Sequence, residues 1–160
     1  MSKEHKDKLL NKAYFYLYLR QRSEKEMLDY LKKKADQYHA TDDDIKEVMH
    51  ELKLQKYLND DLFIESYVRY RTTAKPKGMY ALRLELLKKG LPEEKISAYF
   101  EKSEIHEDFL AKEALKKAWA RYKNLDPLKR KKRAIDFLSR RGFSFDTAKE
   151  ALDELEKNME

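Results

Sequence analysis

Apolar residues recur at helical spacing along most of the chain. Three stretches, 45–52, 115–122 and 148–155, place apolar side chains at positions i, i+3, i+4 and i+7. This spacing collects the side chains on one face of an α-helix. Such a face is stabilised only when it packs against neighbouring helices, so the pattern predicts an all-α protein.

Residues typical of helix ends fall between these apolar stretches. Ser23 and Glu26 match a capping box, in which the two side chains satisfy backbone N–H groups of the first turn. Asp126, followed by proline, suits an N-cap, and Gly90 and Gly142 suit the left-handed residue just after a helix. The combined signals predict nine helices, at about 7–20, 24–34, 42–55, 60–73, 78–89, 92–101, 107–123, 127–141 and 145–157.

One local pattern occurs three times: an apolar helix, a second helix that ends in basic residues, and a third that starts with acidic ones. Leu31, Leu86 and Leu138 hold equivalent positions, with offsets of 55 and 52 residues. A nearly constant period is typical of stacked repeats. We therefore expect three tandem three-helix repeats, with boundaries at 1–58, 59–103 and 104–160, that form an elongated, curved helical array. The segment 72–78 is the predicted flexible link.

Composition supports this fold class and narrows the classes of protein. Charged residues make up 41% of the 160 positions, and the chain has three Gly, three Pro and no Cys. So few turn residues favour helices over sheets, and without cysteine there are no disulfides and no thiolate metal sites. Apolar runs stay well short of the roughly 18 residues of a membrane span, and the N-terminus lacks a signal-peptide pattern. We expect a cytoplasmic protein.

The net charge of +6 is distributed in alternating basic and acidic blocks. The helix dipole favours cations near helix C-termini and anions near helix N-termini. This interpretation covers the basic pairs and triplet at 32–34, 88–89 and 140–141, which end predicted helices, and the acidic run 42–44, which starts one.

Two further basic groups are not explained by the dipole. The segment 129–133 lies early in a predicted helix, where cations are disfavoured, and segment 66–90 carries seven basic residues with Glu85 as its single acidic one. Mutually repelling cations placed against local preference indicate an anionic partner. The candidate contact residues are Arg69, Arg71, Lys75, Lys77, Arg83, Lys129, Arg130, Lys131, Lys132 and Arg133, and weaker candidates are Lys88, Lys89, Arg121, Lys123, Arg140 and Arg141.

Aromatic side chains near these cations could stack on nucleic-acid bases. Trp119 and Tyr122 belong to the apolar face of 115–122, so we interpret them as core residues. For Tyr70 and Tyr80 both a structural role and stacking stay open.

The sequence contains no catalytic or metal-binding pattern. Its four histidines, at positions 5, 39, 50 and 106, are scattered and lack the spacing of a metal site. Three isolated glycines cannot form a phosphate-binding loop. The acidic run 42–44 lacks the Gly and Glu of a calcium loop, so we interpret it as an N-cap. We therefore expect a binding protein that is not an enzyme and uses no cofactor or metal.

Four segments, in order along the chain, resemble the motifs of one known family. The first two, 20–27 and 60–71, resemble an R-x-R-S-E-x-E-L junction and a D-D-x-x-F-A-x-x-Y-V-x-x-R helix. The segment 77–91 matches K-G-x-x-x-[IL]-x-x-x-L-x-x-K-G-[IL], and 140–144 matches R-R-G-F-S. Together they resemble the RecX family, the regulators of the RecA recombinase. The departures, at 34–35 and 64–65, replace a glycine and a small residue.

The resemblance implies three tandem three-helix repeats, in agreement with the period found above. It also implies binding to the RecA–single-stranded DNA filament along its helical groove, with direct contact to the DNA as an option. Lower ATP hydrolysis, strand exchange and repressor cleavage by RecA would follow. We expect the chain to act as a monomer.

Two other classes of protein stay open at this point. Three-helix units with basic ends can form a helix-turn-helix repressor that binds DNA directly, although no repeat has a clear recognition helix with Asn, Gln and Arg together for base edges. A helical scaffold for an unrelated protein partner is the third interpretation.

Overall fold

The computed structural model describes residues 2–159, and over this range it contains helices and turns but no strand. The expected all-α class is therefore confirmed. The bounds of the nine α-helices and one 3-10 helix in this range are α1 Ser2–Leu19, α2 Glu24–Tyr38, α3 Asp42–Leu54, α4 Asp60–Ala74, α5 Met79–Lys88, α6 Glu93–Lys102, α7 Glu107–Ala118, η1 Trp119–Arg121, α8 Pro127–Arg140 and α9 Phe145–Lys157.

Helix α2 runs one turn further than the sequence predicts. It ends at Tyr38, because His39 adopts a left-handed conformation with φ of 53° and its N–H donates to the carbonyl of Ala35. The side chain of Ala35 is buried, so packing favours the extra turn. The interpretation of the cations at 32–34 as helix-end residues is therefore wrong, since they lie inside α2.

The helix predicted at 107–123 is divided in two. α7 ends at Ala118, and the tighter turn η1 follows it over Trp119–Arg121. Tyr122 is buried in the core, as the apolar spacing predicts. Trp119 is only partly buried and packs against that core from its edge.

Most of the predicted helix ends are confirmed. The Ser23 hydroxyl accepts from the N–H of Glu26 at 3.1 Å, and the Glu26 carboxylate accepts from the N–H of Ser23 at 3.3 Å. Asp126 accepts from the N–H of Lys129 at 3.1 Å. Gly90 and Gly142 both have positive φ, 82° and 89°.

The interpretation of the acidic run 42–44 as an N-cap is only partly correct. The N-cap of α3 is Thr41, whose hydroxyl accepts from the N–H of Asp44 at 3.2 Å. Asp44 is buried and accepts in return from the N–H of Thr41 at 2.9 Å. Only this third aspartate helps to cap the helix, while Asp42 and Asp43 lie exposed in the first turn.

One compact unit comprises 2–65 and Leu86–Tyr99. Helices α1, α2 and α3 form its core around fully buried side chains, among them Leu9, Leu31 and Leu52. Asp60, the first residue of α4, accepts from the N–H of Glu24 at the start of α2, with a distance of 2.9 Å. The start of α4 is thereby attached to α2.

A second compact unit comprises 66–85 and 100–159. Helices α7, α8 and α9 pack around a core that includes Leu115, Leu138 and Leu152. Most of the predicted contact residues lie in this unit. The repeat boundaries at 1–58, 59–103 and 104–160 stay a prediction.

Within the part of the chain that the structure describes, no helix is both long enough and apolar enough to cross a membrane.

Candidate functional site

The link between α4 and α5 is held in place by the turn that follows α8. The N–H of Gly78 donates to the carbonyl of Arg141 at 2.7 Å, and the Arg141 guanidinium donates to the carbonyl of Pro76 at 3.4 Å. A Cβ at position 78 would overlap the carbonyl of Gly142, so only glycine fits there. The link is shorter than the predicted 72–78, because 72–74 end α4, and Pro76 and Gly78 within it are buried. Its flexibility stays a prediction.

On one side of this link lies the Glu85 cluster, formed by Tyr67, Arg71, Lys77 and Glu85. The Glu85 carboxylate accepts from the ammonium group of Lys77 and from the Tyr67 hydroxyl, the latter at 2.6 Å. Nε of Arg71 lies 3.4 Å from the same carboxylate and donates to the Tyr67 oxygen at 3.3 Å. One carboxylate therefore pairs with two of the predicted contact residues and offsets one of their two positive charges.

The electrostatics of the Glu85 cluster favour the charged carboxylate. Burial alone would raise the pKa of Glu85, but the hydrogen bonds from Lys77 and Tyr67, together with the positive charges of Lys77 and Arg71, lower the pKa below its ordinary value. Burial and the bond to Glu85 raise the pKa of Tyr67, so its hydroxyl keeps its proton and donates it. At neutral pH the Glu85 carboxylate is therefore charged and the Tyr67 hydroxyl is protonated.

The link also contributes to the Phe137 cleft, which is lined by Lys75, Lys117, Arg121, Phe137 and Arg141 with Pro76 and alanines of α4 and α7. Its volume is about 80 Å³. The guanidinium carbons of Arg141 and Arg121 lie 4.9 and 5.5 Å from the centre of the Phe137 ring. Nζ of Lys117 donates to the carbonyl of Thr73 at 3.4 Å.

The cleft differs from the Glu85 cluster in its lack of negative charge. Across 2–159, no carboxylate forms an ion pair with any of its four cations, Lys75, Lys117, Arg121 and Arg141. Burial and the positive charge of Arg121 lower the pKa of Arg141. Both guanidinium groups thus lie near the Phe137 ring, and no carboxylate of the described chain pairs with either.

Exposed cations surround the start of α8. Arg130 is the exception, because its Nε donates to the Glu156 carboxylate at 2.8 Å and its guanidinium also donates to the carbonyl of Leu125 at 3.2 Å. The others are exposed, and in the described chain they form no ion pair. They are Lys129, Lys131, Lys132 and Arg133.

The remaining predicted contact residues are dispersed. Arg69 is exposed on α4, while Arg83 is half-buried with its guanidinium carbon 5.5 Å from the centre of the Phe100 ring. Lys88 is exposed, whereas Lys89 is half-buried and its carbonyl accepts from the Ser23 hydroxyl at 2.6 Å. Lys123 and Arg140 are exposed. Arg140 and Arg133 line a separate depression of about 260 Å³ with Tyr122 and Asp136.

Lys117 is the cleft residue that the sequence analysis missed. It lies four positions before Arg121, the spacing that places two side chains on the same helix face. That spacing, read together with the basic residues of 74–78, was the available signal. The two open aromatic residues, Tyr70 and Tyr80, are 62% and 69% exposed and are therefore not core residues. Metal-ligating side chains do not gather in groups of three or more within the described chain.

Known proteins that are similar to this chain identify its family. Residues 59–99 match the family model described as RecX, second three-helix domain, and residues 107–152 match RecX, third three-helix domain. The regulatory protein RecX of Prosthecochloris aestuarii is 33% identical over 162 residues, which cover 99% of this chain and 100% of that protein. The chain belongs to the RecX family.

Two further RecX proteins are similar to most of this chain. The regulatory protein RecX of Bacillus subtilis is 36% identical over 149 residues, 91% of this chain, but the match spans only 54% of the Bacillus protein. The crystal structure of RecX from Lactobacillus salivarius superposes with a TM-score of 0.80 and 25% identity, covering 96% of this chain and 98% of that one. Three-helix repeats and a regulatory family, rather than an enzyme family, are therefore established.

Proposed function

We propose that this chain binds the RecA–single-stranded DNA filament and lowers its ATP hydrolysis, strand exchange and repressor cleavage. Membership of a family of regulatory proteins supports the regulatory role, and the resemblance of the sequence motifs supplies RecA as the partner. No cofactor is part of the proposal. The bound chain would act by contact alone.

The observation that carries the proposal is the set of exposed cations at the start of α8. Lys129, Lys131, Lys132 and Arg133 lie in the first two turns, where the helix dipole disfavours positive charge. In the described chain no carboxylate pairs with them. An anionic partner, such as DNA phosphates or an acidic protein surface, would remove this repulsion.

The other predicted contact residues enter the proposal with different weights. Lys75 is exposed and belongs to the Phe137 cleft, which favours it as a contact. Arg71, Lys77 and Arg130 are each paired with an internal carboxylate, so they would have to leave it before they could reach a phosphate. We therefore rank them behind the exposed cations.

The proposed mechanism is resistance to filament motion. A RecA filament changes its geometry as nucleotide is hydrolysed, and a chain that contacts neighbouring protomers and the DNA together would oppose that change. A ligand shifts such an equilibrium only by the difference between its affinities for the two states. The chain should therefore bind the resting filament more tightly than the filament during turnover.

Co-sedimentation with preformed RecA filaments, combined with an ATPase assay, tests the proposal. We expect stoichiometric binding and inhibition that weaken when Lys129, Lys131, Lys132 and Arg133 are all changed to Gln, with a larger loss at low salt than at high salt, where screening has already removed this attraction. The matched control changes four exposed lysines elsewhere, Lys32, Lys33, Lys46 and Lys102, to Gln.

Three outcomes would contradict the proposal. Absence of binding at stoichiometric protein would remove the filament as partner, and stimulation of ATP hydrolysis would reverse the sign of the effect. Tight, sequence-specific binding to duplex DNA at physiological salt without RecA would favour the repressor class instead.

A further inference from the structure

The Phe137 cleft gathers four cations around a space that the described protein leaves without negative charge. Lys75, Lys117, Arg121 and Arg141 line it. Backbone carbonyls contribute partial negative charge there, since those of Thr73 and Pro76 accept from Lys117 and Arg141. No carboxylate of the described chain pairs with the four cations, so a bound anion would stabilise them.

The two arginines share one aromatic neighbour. The guanidinium carbons of Arg141 and Arg121 lie 4.9 and 5.5 Å from the centre of the Phe137 ring, within the range of cation–π attraction. Arg141 is further fixed by its bond to the carbonyl of Pro76. A guanidinium held in this way presents parallel N–H groups, which suit phosphate or carboxylate oxygens.

The size of the cleft suits a small ligand. Its volume of about 80 Å³ is sufficient for one phosphate group. Two guanidinium and two ammonium groups also offer more N–H donors than the two oxygens of a carboxylate accept, and a phosphate has more oxygens.

We propose that the Phe137 cleft is a binding site for one phosphate group, taken from the backbone of a single DNA strand. The strand as the source of the phosphate rests on the function proposed above, whereas the affinity of the cleft for a phosphate group does not. The neighbouring Glu85 cluster, with its own carboxylate, takes no anion.

The test uses the full chain with two probes, inorganic phosphate and a short oligo-dT. Binding is followed by the NMR signals of the arginine side-chain Nε–H groups and by titration calorimetry at low salt. We expect both probes to shift the signals of Arg121 and Arg141. The double variant Lys117→Gln, Arg121→Gln should raise both dissociation constants about a hundredfold, because each of the two lost charge-assisted hydrogen bonds weakens binding roughly tenfold.

The double variant Lys149→Gln, Lys157→Gln is the matched control. Both lysines are exposed cations of α9 that do not line the cleft. Their removal lowers the net charge by the same two units and should change either dissociation constant by less than about twofold. Thermal unfolding by circular dichroism shows that each variant is folded. Should a variant prove unfolded, Arg121→Lys, which keeps the charge but loses the planar guanidinium, gives a milder form of the same test.

The outcomes separate the site from the function. Phosphate binding that is absent in the wild type, or that survives in the double variant, overturns the site. Binding of inorganic phosphate without any effect of oligo-dT overturns the DNA strand as its source. A chain that binds phosphate in the cleft but fails to sediment with RecA filaments would leave the site standing and remove only the proposed function.

Discussion

Lys75 and Lys77 lie two residues apart on the same link, yet their side chains have opposite surroundings. Lys77 is half-buried and its ammonium group is bound by Glu85, which also pairs with Arg71. Lys75 is exposed and lines the Phe137 cleft, where the described chain provides no carboxylate. The first cation stabilises the fold, and the second is available to a ligand.

The number of charged residues in a segment does not show where its positive charge is available. Segment 66–90 has seven basic residues and one acidic one, which suggests a uniformly positive surface. The single acidic residue is shared between two cations, so the positive charge is concentrated away from it. The position of one carboxylate, and not the number of lysines, decides where an anion can bind.

The largest effect is expected from Gly78→Ala, which would disturb the surroundings of both Lys75 and Lys77. The added methyl group overlaps the carbonyl of Gly142, a backbone atom that cannot move without displacing the turn after α8. We expect a loss of about 2–3 kcal/mol in the free energy of unfolding. Urea unfolding measures it, with Ser66→Ala on the exposed face of α4 as the control. An unchanged midpoint would mean that the link is not held as described.

Glu85→Gln should have the next largest effect, because it leaves Lys77 and Arg71 without their carboxylate. We expect a loss of about 1–2 kcal/mol at neutral pH, less than for a fully buried pair, since these side chains keep some exposure. The matched control is Glu154→Gln, whose ion pair with Lys112 is more exposed and should matter little.

The loss of stability in Glu85→Gln should depend on pH. Since the pKa of Glu85 is lower in the folded chain than its ordinary value of 4.5, its stabilisation is complete above that value. It is lost as the pH falls through the folded-state pKa. Unfolding measured from neutral to acidic pH should show the gap between wild type and Glu85→Gln closing. A gap that stays constant in acid would show that Glu85 is not charged in the folded protein.

A smaller contrast is expected between two neighbours on α8. Arg130→Gln removes the bonds to Glu156 and to the carbonyl of Leu125, so we expect a loss of about 1 kcal/mol in stability. Lys131→Gln should leave stability unchanged and weaken filament binding at low salt. Paired unfolding and co-sedimentation measurements would contradict this assignment if the two variants behaved alike.

The smallest effects should come from the two lysines of the link themselves. Lys77→Gln should lower the free energy of unfolding by about 0.5 kcal/mol and leave phosphate affinity nearly intact. Lys75→Gln should do the reverse, with unchanged unfolding and a dissociation constant for phosphate raised severalfold. The contrast between Lys75 and Lys77 would be contradicted if Lys75→Gln lowered stability and Lys77→Gln weakened phosphate binding.

Most of the fold could be predicted because its signals are local. The apolar spacing of 148–155 and the cap at Ser23 depend only on neighbouring residues, and both are confirmed. The end of α2 lies one turn beyond the predicted end, because the burial of Ala35 against other helices extends the helix. A tertiary contact of this kind leaves no mark in the local pattern.

The candidate site was predicted only as a list of cations. The spacing of charges could not show that Glu85 pairs with Lys77, or that Glu156 pairs with Arg130, which lies 26 residues away in the sequence. Nor could it bring Lys75 to Arg141, since their proximity depends on the packing of the link against the turn after α8. Partners that are distant in sequence decide which charges remain available.

The close approach of Gly78 and Gly142 also has a consequence for biosynthesis. The link leaves the ribosome more than sixty residues before the turn that anchors it, and Arg121 and Arg141 emerge later than Lys75. An unfinished chain therefore lacks the assembled cleft, however many lysines it already displays. The ability to hold a phosphate group would be acquired only when synthesis has passed residue 142.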